Sequence, residues 1–404
     1  MKKNLAGYQE ALQITLENIQ PLGRETIPLA QSEGRVIAMD LQARVNSPSV
    51  NASLKDGYAL RSDEIAHARP DSSVTLKLLG MAAAGMPCDL MVTEGTAVRV
   101  LTGAKIPEGA DAVLAEEFAG AENGSVTVTN FAEPGRNILP AGSDIALNEC
   151  CAKTGDRLRP GIIGLLAASG HSEMPVFVCP RVAIIATGDE VVAPGRPLPE
   201  GKLYASNLVT LSTWCLRYGI QADLGMVGDK PEVILSRLKD AIETHDAVLT
   251  SGGAWTGDRD FVVQMLEALG WKQFFHRIRI GPGKAVGFGL LHGKPVFVLP
   301  GGPPSNLLAF LQIALPGLLK LGGFKTLRLP AMKVKLTETV VVRDVDWTQF
   351  IFGCFEDGGY HTHFRPMKLK SRLQSMARAE GVISVPEGVG EINAGAIIDA
   401  QLLI

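Results

Sequence analysis

The sequence has no excess of charge of either sign. Its 39 Lys and Arg stand against 42 Asp and Glu, a formal net charge of −3. That removes the general electrostatic reason to expect nucleic acid or an anionic membrane as a partner. Cysteine is sparse too. Cys88, Cys150, Cys151, Cys179, Cys215 and Cys354 form no CxxC pair and are too scattered for a disulfide framework. A reducing cytoplasm is the expected compartment. There is no GxxxxGK[ST] loop, no complete GxGxxG, no HExxH, no Cys/His set for zinc and no GxSxG elbow. Those gaps argue against the common nucleotide, zinc and serine-hydrolase chemistries. Long hydrophobic runs are missing as well. The start, "MKKNLAGYQEALQITLENIQ", has two lysines but no apolar core of a leader peptide. Leu5, Tyr8, Leu12, Leu16 and Ile19 recur there at helical spacing. The longest apolar stretch, "LLAFLQIALPGLL" from Leu307, is interrupted by Gln312 and Pro316 and reads as a core helix. The seven histidines are scattered, and none is assigned a role.

What is present is an ordinary globular composition, 46% hydrophobic and 20% charged, over 404 residues. That length suggests roughly two to four domains. Four zones differ in pattern. Residues 1–46 are helical and then turn-like. Residues 47–138 hold short alternating strands such as "SSVTLKLLG", "GTAVRVLTG", "ADAVLAEE" and "SVTVTN", a small β domain. Residues 139–177 return to helical patterns ("PGIIGLLAASG") and are expected to join the first zone in one discontinuous helical body, with the β domain inserted. Residues 178–325 alternate strand and helix, which predicts right-handed βαβ units around a parallel-rich sheet. Residues 326–404 show short strands and predict a β-barrel or sandwich.

In an open parallel sheet, ligands bind at the carboxyl ends of the strands. Three such ends are unusual here: "ATGDE" (186–190), "TSGG" (250–253) and "LPGGPPS" (299–305). Glycine lets backbone approach a ligand, and helix N-termini offer amides to an anion. A phosphate or oxyanion site is therefore predicted on this rim. Glu190, Asp229, Asp258 and Asp260 follow strand ends as well. Carboxylates beside a phosphate site need a cation between them, and hard oxygen ligands suit Mg²⁺. Each feature also fits an ordinary role. Asp229 before Lys230-Pro231, and Asp258, fit helix N-caps, and both glycine pairs fit tight turns. Two further stretches, "KDGYALR" (55–61) and "LTGAKIPEGADAV" (101–113), fit turns and hairpin connections.

Taken together, the motifs resemble the MoeA family of molybdopterin molybdenumtransferases, which includes the gephyrin E domain. The resemblance covers essentially the whole chain. It rests on "KDGYALR", "LTGAKIPEGADAVLAEE" (101–117), "AGSDI" (141–145), "ATGDEV" (186–191), "SGGAWTGDRDF" (251–261), "GPGKAVGFG" (281–289), "LPGGPPS" and "SMARAEGVISVPEG" (375–388) in order. It implies Mg²⁺-assisted insertion of molybdate into adenylylated molybdopterin, with release of AMP. It implies a MoCF-type α/β domain, a helical dimerisation body, an inserted β domain and a C-terminal β-barrel. It also implies a homodimer with the active cleft between subunits, which would bring Asp56 and Thr102 of one chain to the rim of the other. Asp56, Asp144, Glu190, Asp229 and Asp260 match the family's acidic positions, with Glu190 and Asp260 as expected metal ligands. Thr187, Gly188, Ser251, Gly252, Gly253 and Asp258 match its substrate loops. Lys284, Pro300, Gly301 and Ser305 match the region that handles molybdate, where Lys284 is a point charge suited to an oxyanion.

Three positions depart from the family pattern. Lys55 stands where a Met is usual, "GPGKA" places Gly281 and Ala285 for a Lys and a Pro, and "PGGPPS" places Gly302 for an Asn. Lys55 and Gly281 together suggest an exchange of charge across the dimer. They also keep open a divergent paralogue that inserts tungstate, a non-catalytic carrier or scaffold, and a nucleotide-phosphate hydrolase.

Overall fold

The structure is a computed structural model and describes residues 5–253, 261–359, 362–367 and 372–404. At its centre lies a six-stranded sheet in the order 221–227, 181–187, 247–251, 294–299, 287–291, 272–276. The first four strands are parallel and the last two antiparallel. The three inner parallel strands, 181–187, 247–251 and 294–299, are largely apolar and buried because both faces are covered by helices, whereas 221–227 is an exposed edge. Val182, Ile184, Leu249, Phe297 and Leu299 face one core, shared with helix 206–217 and the helical run 303–321. Ala183, Ile185, Val248, Val296 and Val298 face the other, under helices 231–244 and 261–268. The run Pro303–Leu321 is long and apolar enough to cross a membrane, but 89% of an 18-residue stretch of it is buried inside the protein, as a core helix would be.

The segments flanking the β domain pair with each other. Strand Arg24–Pro28 runs antiparallel to Glu173–Phe177, and Leu41–Gln42 to Cys150–Ala152. Their shared core is Leu29, Ile37, Leu41, Leu158, Leu166, Met174 and Val176. This body is less helical than the sequence pattern suggests, because helix Tyr8–Glu17 leaves it. Tyr8, Ala11 and Leu12 pack instead into the α/β core, beside Leu315 and Leu318. The periodicity identified the helix but not the face that would receive it.

The β domain is a six-stranded sheet ordered 112–115, 57–60, 96–100, 74–82, 125–128, 119–122. Five C-terminal strands close into a barrel: 348–357 pairs with 362–366, then 331–336, 397–402, 381–385 and back to 348–357. Closure removes the exposed edges that so short a sheet would otherwise present. Strand Ile278–Gly281 extends this sheet in parallel with Thr348–Asp357 and ties the barrel to the α/β layer.

Candidate active site

Register aligns the rim. Ala186 pairs with Ser251 and Ser251 with Leu299, so the three glycine-bearing loops leave the sheet at one level. Between them is a cleft of about 110 Å³ lined by Thr187, Glu190, Ser251, Gly252 and Gly301, with Tyr204 and Asn207 on the far wall. Gly252 and Gly253 have φ of 101° and 63°. A Cβ on Gly252 would lie 2.7 Å from the Thr187 carbonyl, so the loop can pass there only without a side chain. Gly301 approaches closely too: its Cβ position lies 3.7 Å from Gly252 Cα.

Ser251 is the centre of the rim. Its Oγ accepts one N–H from Asn306 (3.0 Å) and one from Asn207 (3.2 Å). Asn306 also donates to the Pro300 carbonyl and Asn207 to the Gly301 carbonyl, both at 2.8 Å. A carbonyl can only accept, so these contacts fix which end of each amide is nitrogen. With both hydroxyl lone pairs taken, the Ser251 proton is left for an acceptor outside this network. Thr187 adds a second hydroxyl, 5% exposed and without a partner among the described residues. Sequence reading missed Asn207 and Asn306. The signal was available in Asn306, an amide inside an otherwise apolar helix, which must satisfy its polar atoms locally.

The acids divide. Glu190 lines the cleft, and its carboxylate folds back over Gly188, where a Cβ would collide with it. Asp229 does not cap the next helix. The N-cap position is Lys230, with no side-chain cap. Instead Asp229 and Asp189 exchange bonds: Asp189 N donates to Asp229 Oδ2 (3.4 Å) and Asp229 N to Asp189 Oδ1 (3.1 Å). That exchange ties the 186–190 loop to the turn that follows strand 221–227. Asp258 and Asp260 lie outside the described residues. Among the described residues no three His, Cys, Asp or Glu side chains converge on a metal position. Mg²⁺ does not require such a cage, since it commonly takes one or two carboxylates plus substrate phosphates. Glu190, with no side-chain partner among the described residues, fits that role.

The remaining expected residues do not line this cleft. Asp56 and Thr102 meet each other in the β domain: Thr102 donates both its N–H (2.6 Å) and its hydroxyl (2.7 Å) to Asp56 Oδ1. The Thr102 hydroxyl and then its N–H hold the Asp56 carboxyl below the usual carboxylate range. Asp144 is exposed in a loop anchored by its N–H to the Ser47 carbonyl. Lys284 Nζ sits 4.9 Å over the Trp347 ring of the barrel. Ser305 occupies the first turn of helix Pro303–Ala309, whose two leading prolines have no N–H. That helix start offers an anion fewer amides than expected.

The departures also have structural settings. A Cβ at Gly281 would overlap the Gln349 carboxamide, so barrel packing fills the space where the family carries a lysine. Lys55 faces a different groove, with Val113, Glu117, Phe131 and Arg136, on the side of strand 57–60 away from Thr102. Within one chain, Lys55 and Gly281 therefore line separate places and exchange no charge.

A parallel sheet with hydroxyls, glycines and an acid gathered at its carboxyl rim defines an α/β domain built for an anionic ligand. Residues 183–320 match the family described as "Probable molybdopterin binding domain", and residues 6–170 match "MoeA N-terminal region (domain I and II)". The chain belongs to the MoeA family of molybdopterin molybdenumtransferases. It is 34% identical over 312 residues to the molybdopterin molybdenumtransferase of Haemophilus influenzae, covering 77% of this chain and 76% of that one. It is 29% identical to molybdopterin molybdenumtransferase 2 of Mycobacterium tuberculosis, over 97% and 98% of the two chains. The crystal structure of the molybdopterin biosynthesis MoeA protein from Pyrococcus horikoshii superposes with a TM-score of 0.84 at 28% identity, over 99% and 100% of the chains.

Proposed function

We propose that this transferase inserts molybdate into adenylylated molybdopterin in molybdenum cofactor biosynthesis, releasing AMP with the help of Mg²⁺. The observation that carries the reading is the Ser251 hydroxyl, fixed by two amide donors and so left with its own proton to donate. A substrate phosphate oxygen is an acceptor for that proton, and the Thr187 hydroxyl beside it would find its missing partner there. Glu190 and Asp260 would hold Mg²⁺, which supplies neutralising charge to the phosphates when bound. Asp229, through Asp189, keeps the first loop in place. Gly188, Gly252, Gly253 and Gly301 let the ligand approach the backbone. Positioning and charge screening, rather than an acid or base, are the contributions expected of this chain.

A cleft of about 110 Å³ encloses only part of a nucleotide-linked pterin, since whole-ligand sites run to roughly 300–1,000 Å³. A second subunit would complete it, contributing Asp56, Thr102 and Asp144. Helix Pro160–Ala168 supports such a homodimer. It is apolar all round, yet only Leu166 is buried in one chain. The six cysteines form no disulfide within the chain, and the setting proposed is a cytoplasmic enzyme without a membrane or nucleic-acid partner. Gln349 packed at Gly281 favours a second reading, a paralogue that takes tungstate or only carries the cofactor.

The test is AMP release from adenylylated molybdopterin with Mg²⁺, run without oxyanion, with molybdate and with tungstate. Molybdate-dependent release is expected. Release only with tungstate would move the assignment to the paralogue. Tight pterin binding without any release would move it to the carrier, and release without oxyanion to a hydrolase.

A further inference from the structure

A second cavity, of about 560 Å³, opens where segments 155–162, 214–218 and 324–330 meet. It is not the rim. Tyr218 lies just ahead of strand Gln221–Val227, whose first residue pairs with Arg181, the first residue of its neighbour. The cavity thus sits at the amino ends of the parallel strands, about 20 Å along the sheet from Thr187.

Its lining has five cations, Arg157, Arg159, Arg217, Lys325 and Arg328, against one carboxylate, Asp156, in a chain whose net charge is −3. Lys325 Nζ already occupies Asp156 at 2.7 Å. Arg217 lies 5.3 Å over the Trp214 ring and Arg157 5.8 Å over Tyr218. Each is pinned there by one N–H: Arg157 donates to the Arg217 carbonyl (3.1 Å) and Arg217 to the Leu403 carbonyl (3.2 Å). Stacking on an aromatic ring accounts for those two arginines without a ligand. It does not account for Arg159, whose side chain has no hydrogen-bond or ion-pair partner among the described residues, or for Arg328, which gives one N–H to Gln9 (3.1 Å). Gathering four guanidinium groups from separate segments around one hollow costs repulsion that a dianion would relieve. The volume suits a small molecule.

We propose that this cavity binds a nucleoside phosphate. The phosphate lies between Arg159 and Arg328. The base stacks on the guanidinium planes that cover Trp214 and Tyr218, a surface that bases accept readily. Nothing in the proposed reaction requires this site, so the two stand or fall separately.

The experiment titrates AMP, adenosine and inorganic phosphate into the full-length Ser251→Ala protein, in which the rim is weakened, with calorimetry and tryptophan fluorescence as readouts. AMP should bind and quench fluorescence, and Trp214→Phe should abolish the quench. Adenosine and phosphate should each bind about tenfold more weakly than AMP, and Arg159→Ala with Arg328→Ala should weaken AMP by about tenfold or more. AMP release in an otherwise wild-type background should be unchanged by those two substitutions. Should the double variant melt early, Arg159→Ala alone decides, because that side chain makes no hydrogen bond or ion pair among the described residues. AMP binding that ignores the arginines, or phosphate binding as tightly as AMP, overturns the proposal.

Discussion

Asn306 donates a 3.0 Å hydrogen bond to the Ser251 hydroxyl, and both residues are buried, at 1% and 5% exposure. One residue is the fourth of helix Pro303–Ala309 and the other ends strand 247–251. Because the same amide also holds the Pro300 carbonyl, one side chain sets the distance between two of the three rim loops. A loop site usually gains its precision from such support beneath it rather than from the residues that touch the ligand.

That relationship separates two variants. Asn306→Leu leaves the Pro300 carbonyl buried and unpaired and frees Ser251, so stability should fall by about 2–4 kcal/mol, and AMP release with it. In Ser251→Ala both asparagines keep their carbonyl partners, so the stability loss should be smaller. The lost donor should still slow AMP release by about a hundredfold. Urea unfolding beside the release assay checks both. Wild-type release from Ser251→Ala would show that the hydroxyl gives nothing to the substrate.

The two glycines that face each other across the cleft should respond differently. Gly252 has φ of 101°, and a Cβ there meets backbone, the Thr187 carbonyl at 2.7 Å. Gly252→Ala should therefore destabilise the protein by about 2 kcal/mol or more. Gly301 has no positive φ, and among the described residues its Cβ would meet only Gly252 Cα, at 3.7 Å. Gly301→Ala should fold as wild type, within about 0.5 kcal/mol, and show its effect in the Michaelis constant. Equal melting of the two variants would contradict this assignment.

Much of this was legible in the sequence because its signals are local. Apolar runs ending in glycine marked the strands and their carboxyl ends, and alternation with helices gave the parallel sheet. What escaped was long-range. Nothing near Tyr8 says that its helix packs beside Leu315 rather than with helix Pro160–Ala168. The amides that hold Ser251 come from 44 and 55 residues away. Asp229 looked like a helix cap because it precedes Lys230-Pro231, whereas its carboxylate answers the amide of Asp189, 40 residues earlier. Gly281 looked like a lost lysine, and only the register with Gln349 shows what fills the space.

Asp56 owes its lowered pKa first to the Thr102 hydroxyl and then to the Thr102 N–H. A depressed carboxylate pKa means stability that is present above the unfolded value and lost as pH falls through the folded one. Thr102→Val removes the first donor and keeps the second. Asp56 should then titrate higher, part of the way back to the ordinary carboxylate range, when followed by carboxyl-carbon NMR. Near neutral pH the group is ionised in both proteins. Any loss of AMP release in Thr102→Val at that pH would report on placement of the carboxylate, not on its protonation. An unmoved titration curve would mean that the hydroxyl bond does not persist in solution.

Glu190 offers the sharpest view of the metal. It is the acid lining the cleft among the described residues, and its carboxylate rests over Gly188 with no partner of its own there. Such a group is either a ligand waiting for a cation or an ordinary solvated side chain. Glu190→Gln keeps the shape and removes the charge. If the carboxylate meets Mg²⁺, half-maximal AMP release should need about tenfold more Mg²⁺ or beyond, while saturating Mg²⁺ restores part of the rate. A chelator should stop release by the wild type. Binding can be read without turnover: Mg²⁺ with AMP should raise the melting temperature of the wild type and do so less for the variant, since a ligand stabilises the state that binds it. A solvated glutamate would leave both the Mg²⁺ requirement and the thermal shift where they are in the wild type, and the metal would then have to be assigned to other oxygens of the rim.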